Sequence, residues 1–156
     1  MTINTTTGYQ SKMDFPLANW TNKSALAHAT VLIGRSLFSL IFIMSSFGHF
    51  SNETIAYAAN QGVPLSQVLV PFSGVLAFVG GLSILLGFHA RIGALCIILF
   101  LVPVTLMMHN FWAIADLAQA QIQQIMFMKN LSMLGGALLV FNFGAGPVSF
   151  DERSKS

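Results

Sequence analysis

Four long apolar runs, separated by short polar stretches, set the pattern of this chain. The most uniform lies between Arg91 and Trp112, RIGALCIILFLVPVTLMMHNFW, with no charge from Ile92 to Met108. At about 1.5 Å of rise per residue, its apolar part nearly spans a hydrocarbon core of roughly 30 Å. A helix apolar on every face belongs in lipid, where its backbone groups are satisfied internally. The other runs predict spans over 27–50, 66–88 and 124–146, beside 91–112. The fold class is therefore all-α: an integral membrane four-helix bundle of two helical hairpins.

The connections carry turn and kink signals. Gly62-Val63-Pro64 marks a turn after span one, His89-Ala90 is a tight link, and Gly146-Pro147 closes span four. Pro103 predicts a kink in span three that frees the carbonyl of Leu99. Residues 1–26 read as a polar segment with interfacial aromatics Phe15 and Trp20, and residues 1–24 lack the basic start and short apolar core of a cleavable signal peptide. Residues 27–147 form the membrane domain, and 148–156 a charged tail.

With four spans, Lys12, Lys23, Arg91, Arg153 and Lys155 fall on one side, while Glu53 and Asp116 are the loop charges of the other. The positive-inside rule then places both termini in the cytoplasm. Composition strengthens the reading. Only 8% of the 156 residues are charged, against about 25% in soluble domains, and mean hydropathy is +0.71. A pI near 9.0 without a basic run reflects topology, not nucleic-acid binding. Cys96 is the single cysteine, which excludes a dithiol relay.

The halves share a pattern. Arg35 and Arg91 open spans one and three, which end on Gly48-His49-Phe50 and His109-Asn110-Phe111. Gly80-Gly81 precedes Phe88 at the separation by which Gly135-Gly136 precedes Phe143. Two hairpins related by a pseudo-twofold axis along the membrane normal would produce this.

The runs VGGLSILLGFHARIGALCIILFLVPVTLMMHNFW and KNLSMLGGALLVFNFGAGPVSFD, with a closing G-x-G-P-x-S-x-D, resemble the DoxX family of small bacterial membrane proteins over residues 30–151. That resemblance implies four helices with cytoplasmic termini and a link to quinone-dependent oxidoreductases and oxidative-stress assemblies. Arg35 matches an arginine early in that family's first span, and His49 a basic residue after a glycine. Ala77, Phe78 and Val79 stand where many members carry a glutamate.

Polar residues sort into two layers by depth. Arg35, Ser83, Cys96 and Asn142 lie deep on the cytoplasmic side, where an Arg35–Asn142 clamp would offset a charge costing roughly 2.5–3.5 kcal/mol in lipid. The outer layer gathers His49, Glu53, His109, Asn110, Trp112, Asp116, Lys129 and Asn130 from three helices. His49, His109 and Lys129 are the catalytic candidates, and with Asn110, Trp112 and Asn130 they form a cofactor site suited to a quinone carbonyl and ring. Thioether and imidazole groups, Met44 and Met108 with His49 and His109, offer a copper alternative, and the two histidines a haem b alternative. Function reads as a quinone-linked redox subunit of a membrane oxidoreductase or oxidative-stress complex, with an anchor or assembly module, or a copper- or haem-handling protein, as alternatives. Expected partners are lipid, a protein of a membrane complex and further copies of the chain, with no nucleic acid.

Overall fold

The computed structural model describes residues 25–153; Phe15, Trp20, Lys12, Lys23 and Lys155 lie outside them. Helices α1 (Ala25–Ser46), α3 (Ser66–Leu86), α4 (Ala90–Met108) and α5 (Leu117–Phe143) are long, and each is apolar enough to cross a membrane. Two short helices complete the set, α2 (Asn52–Asn60) and α6 (Phe150–Arg153). Single 3₁₀ turns follow α1 (Phe47–Phe50) and α4 (Phe111–Ala113). No strand occurs among the described residues. Outward-facing Leu37, Val68, Leu99 and Leu139 are each more than half exposed, a distribution suited to lipid.

Two elements differ from the sequence expectation. The connection after span one contains α2, because the Ser51 hydroxyl caps it by accepting from the Thr54 amide. Helix α5 starts at Leu117, earlier than 124, because the Asp116 carboxylate accepts from the Gln119 amide. Its first two turns, LAQAQIQQ, are therefore a polar helical extension.

Helix α3 is the hub, packed against α1 on one side and α4 on the other, with α5 against α4. Its glycines permit this. A Cβ on Gly80 would sit 2.8 Å from the carbonyl oxygen of Gly93, and one on Gly93 2.9 Å from that of Gly80. A Cβ on Gly81 would meet the Ser39 carbonyl at 3.1 Å and the Ile43 side chain at 2.9 Å. One glycine pair thus brings two neighbouring backbones close, which is how helices associate where the solvent is as apolar as leucine. Around it Phe42, Ala77, Ile84, Ala94, Ile97 and Leu101 are almost wholly buried.

The pseudo-twofold expectation meets an asymmetry. That axis would pack α5 onto α1 as closely as α3 packs onto α4, yet α5 sits at the edge of the bundle. Gly136 faces the Phe38 ring and Gly135 faces open space. The matching Gly-Gly pairs therefore do different jobs.

At the end opposite α2, the closing G-x-G-P-x-S-x-D sequence forms a clasp. Gly87, at φ +66°, ends α3, with the Gly87 amide on the Ile84 carbonyl and the Phe88 amide on that of Ser83. The Asp151 amide donates to the Gly87 carbonyl, and its carboxylate accepts from the amides of His89 (2.7 Å) and Ala90 (3.0 Å). An aspartate distant in sequence thereby satisfies the open N-terminus of α4. Arg35, 93% buried by its 7% exposure, donates to the carbonyls of Ala145 (3.0 Å) and Val148 (2.9 Å). This corrects the Arg35–Asn142 clamp: Asn142 faces outward, and the guanidinium reaches the irregular backbone past α5, where carbonyls lack helical partners.

Gly80→Ala is expected to lower the melting temperature in detergent, at a cost of about 1–3 kcal/mol from overpacking against backbone, while Gly135→Ala is expected to be neutral or better. Thermal unfolding followed by circular dichroism compares the two, and equal melting temperatures contradict the hub.

Candidate functional site

Two cavities meet at the α2 end, and His49 and Val104 line both. The larger, about 230 Å³, lies beneath α2 between α3 and α4. Thr54, Ala58 and Val63 roof it, Leu69, Val70, Phe72 and Leu76 form the α3 wall, and Leu99, Pro103, Met107 and Met108 the α4 wall. Phe72 and Leu99 are each 55% exposed, so the cavity borders the face turned to lipid. Pro103 lacks the amide that would occupy the Leu99 carbonyl, and both residues line this space.

Its polar lining is His49, Thr54 and Ser73. Thr54 is paired with the Ser51 hydroxyl at 2.9 Å. The Ser73 hydroxyl donates to the Val70 carbonyl (2.6 Å) and so accepts from Nδ1 of His49 (2.9 Å). The proton then sits on Nδ1, leaving Nε2 of His49 as an acceptor. Backbone positions this ring closely: a Cβ on Gly74 of α3 would lie 2.7 Å from Cβ of His49. Phe100 meets the imidazole edge-to-face, 5.4 Å between centroids.

The smaller cavity, about 130 Å³, opens on the other side of His49, between α1, α4 and α5. It brings together His49, His109, Lys129 and Asn130 of the residues singled out from the sequence, with Ser45 and Met133. Nδ1 of His109 is 2.7 Å from Oε1 of Gln123, and Nζ of Lys129 is 3.4 Å from Sδ of Met126.

The remaining sequence candidates lie elsewhere. Asn110 and Trp112 line neither cavity. Asn110 heads the 3₁₀ turn, its carbonyl accepting from the Ala113 amide. Trp112 is 61% exposed and stacks edge-on with Phe111 and Phe127 at 5.2 and 5.8 Å, an aromatic anchor. Glu53 lies in the first turn of α2 and Asp116 caps α5. The copper set does not converge, because Met44 is 66% exposed while Met108 and His109 line different cavities. Nor is there room for a macrocycle between the histidines. The space they share is about 130 Å³, far less than such a ring system occupies. Sequence reasoning missed the larger cavity; the available signal was Ser51 as a helix cap, which puts α2 over the bundle end.

Comparison with known proteins places these features. The family model described as the SURF4 family matches residues 21–156. The chain is 34% identical to the inner membrane protein YqjF of Escherichia coli over 78% of its own length and 88% of that protein's. It is 30% identical to the inner membrane protein YphA of the same organism, over 79% and 89%. To the ER-derived vesicles protein ERV29 of Saccharomyces cerevisiae it is 31% identical, over 54% of this chain and 27% of ERV29. No solved structure matches. These matches overturn the DoxX resemblance; in this structure Gly80-Gly81 packs helices together and the closing motif forms the clasp.

Proposed function

The chain belongs to the SURF4 family, and from that premise we propose that this multi-pass inner-membrane protein is a binding protein. Its ligand is an apolar molecule with one hydrogen-bond donor, taken up from the bilayer into the cavity beneath α2. The observation that carries this reading is the 230 Å³ cavity, apolar but for the His49–Ser73 pair and Thr54. Mostly apolar walls with few placed polar groups are the usual composition of a ligand site. With Ser73 holding Nδ1, Nε2 accepts the ligand's donor and fixes its orientation.

Binding stands ahead of electron transfer. The larger cavity's polar lining is His49, Thr54 and Ser73, and the outer-layer carboxylate of Asp116 caps a helix. The reading thus falls in the class of non-catalytic membrane modules.

Orientation follows from charge. Arg91 and Arg153 lie at the clasp end and Glu53 and Asp116 at the α2 end, so the positive-inside rule puts the clasp in the cytoplasm and the cavity toward the outer leaflet. In a Cys96→Ala background, Asn60→Cys is expected to react with an impermeant maleimide on intact spheroplasts, and Glu152→Cys only after permeabilisation. The opposite pattern inverts the topology.

Binding is tested by photolabelling. In nanodiscs, a long-chain alcohol carrying a diazirine is expected to mark Val70, Leu76, Met107 and Met108 well above lipid-facing Leu37 and Leu139. Ala58→Phe, which fills the roof, should remove that enrichment at unchanged helix content. Uniform labelling, or enrichment indifferent to Ala58→Phe, overturns the proposal.

A further inference from the structure

The smaller cavity lies outside the proposed ligand site and holds a polar group the fold does not use. Asn130 is 95% buried by its 5% exposure, and no hydrogen bond joins its side-chain amide to another described residue; unlike Nε of Arg35, the amide atoms are not fully enclosed and keep access to the cavity. It lines the cavity between α1, α4 and α5. A buried amide is ordinarily paired, because burying it unpaired forfeits its bonds to water. Next to it in sequence, Lys129 lines the same space, its ammonium against a thioether sulfur, a weak acceptor. No aspartate or glutamate lines the cavity. The other polar lining residues have partners: Nδ1 of His109 is turned to Gln123, Nδ1 of His49 to Ser73, and the Ser45 hydroxyl donates to the Phe42 carbonyl.

We propose that this cavity is a carboxylate site, in which Asn130 and Lys129 donate to the two oxygens of one aliphatic monocarboxylate. An amide and an uncompensated cation together match an anion that accepts at both oxygens, and charge-assisted bonds of this type are the strong ones. Size selects a small headgroup: 130 Å³ accommodates a carboxylate and a few methylenes, which meet Met133 and the flanking apolar side chains. The cavity lies between α1 and α5, which are not closely packed on one another, so an acyl chain has a path from the bilayer along that groove.

The acid could come from the bilayer or from water, and one experiment separates these. The wild-type protein in uncharged phosphatidylcholine nanodiscs is titrated with palmitate labelled with carbon-13 at the carboxyl, alongside methyl palmitate, with butyrate as competitor. Palmitate is expected to saturate one site with a displaced carboxyl resonance, and methyl palmitate to bind at least about tenfold more weakly, the loss of one charge-assisted bond. Lys129→Gln and Asn130→Leu should each weaken palmitate by about the same factor, and Lys129→Arg should retain it. Displacement by butyrate assigns a water-borne acid; palmitate binding that butyrate does not displace assigns a lipid-borne one. Equal affinity of ester and acid overturns the site, as does palmitate binding unchanged in both Lys129→Gln and Asn130→Leu. Should Asn130→Leu fail to fold, the ester comparison on the wild-type protein decides alone.

Discussion

The closeness of α3 to its two neighbours is the constraint on which this structure depends. Lipid offers no hydrophobic drive to bring helices together, so contact must come from shape. Gly80 and Gly81 supply it in opposite directions, one against the Gly93 backbone and the other against Ser39. Gly74, about two turns further toward α2, repeats the approach against α1 and fixes His49 on the cavity wall. The same feature that holds the bundle therefore also positions its ligand-facing imidazole.

The two ends of the bundle solve opposite problems. At the clasp, polar groups that would be costly in hydrocarbon are paired with one another. Asp151 covers the α4 amides, Arg35 covers the carbonyls after α5, and the charge of Asp151 acts on that guanidinium. At the α2 end, polar side chains are left with capacity to spare: Nε2 of His49 and the amide of Asn130. The clasp pairs tie α1, α4 and the segment after α5 together, with Nε of Arg35 the buried side-chain atom left without a partner among the described residues, while the polar groups that face an apolar cavity at the α2 end read as a place for ligands.

How much of this was legible in the sequence depends on what kind of signal each feature leaves. Span number follows from run length and charge spacing, which lipid enforces strictly, and the four apolar helices match it. The grouping of His49, His109, Lys129 and Asn130 at one end follows from helix direction alone. Their division by the His49 ring does not, because it depends on azimuth: successive residues point about 100° apart, and no periodic stripe marks the inward face of a helix apolar all round. Arg35 was legible as a buried charge needing acceptors, but its acceptors are main-chain carbonyls, which carry no residue signature. The DoxX resemblance went astray for a related reason. Gly80-Gly81 encodes close packing and the G-x-G-P-x-S-x-D end a turn, local physical demands that do not by themselves identify a family.

The central claim is that the α2 end holds organic ligands without performing electron transfer on them. Native mass spectrometry of the chain released directly from inner-membrane vesicles tests it most directly. The account predicts a species heavier than the bare chain by one or two small organic molecules, with no visible absorbance and the same mass after mild oxidation or reduction. A chain that emerges bare under conditions that preserve lipid adducts on other helical membrane proteins, or one carrying a redox chromophore, contradicts it.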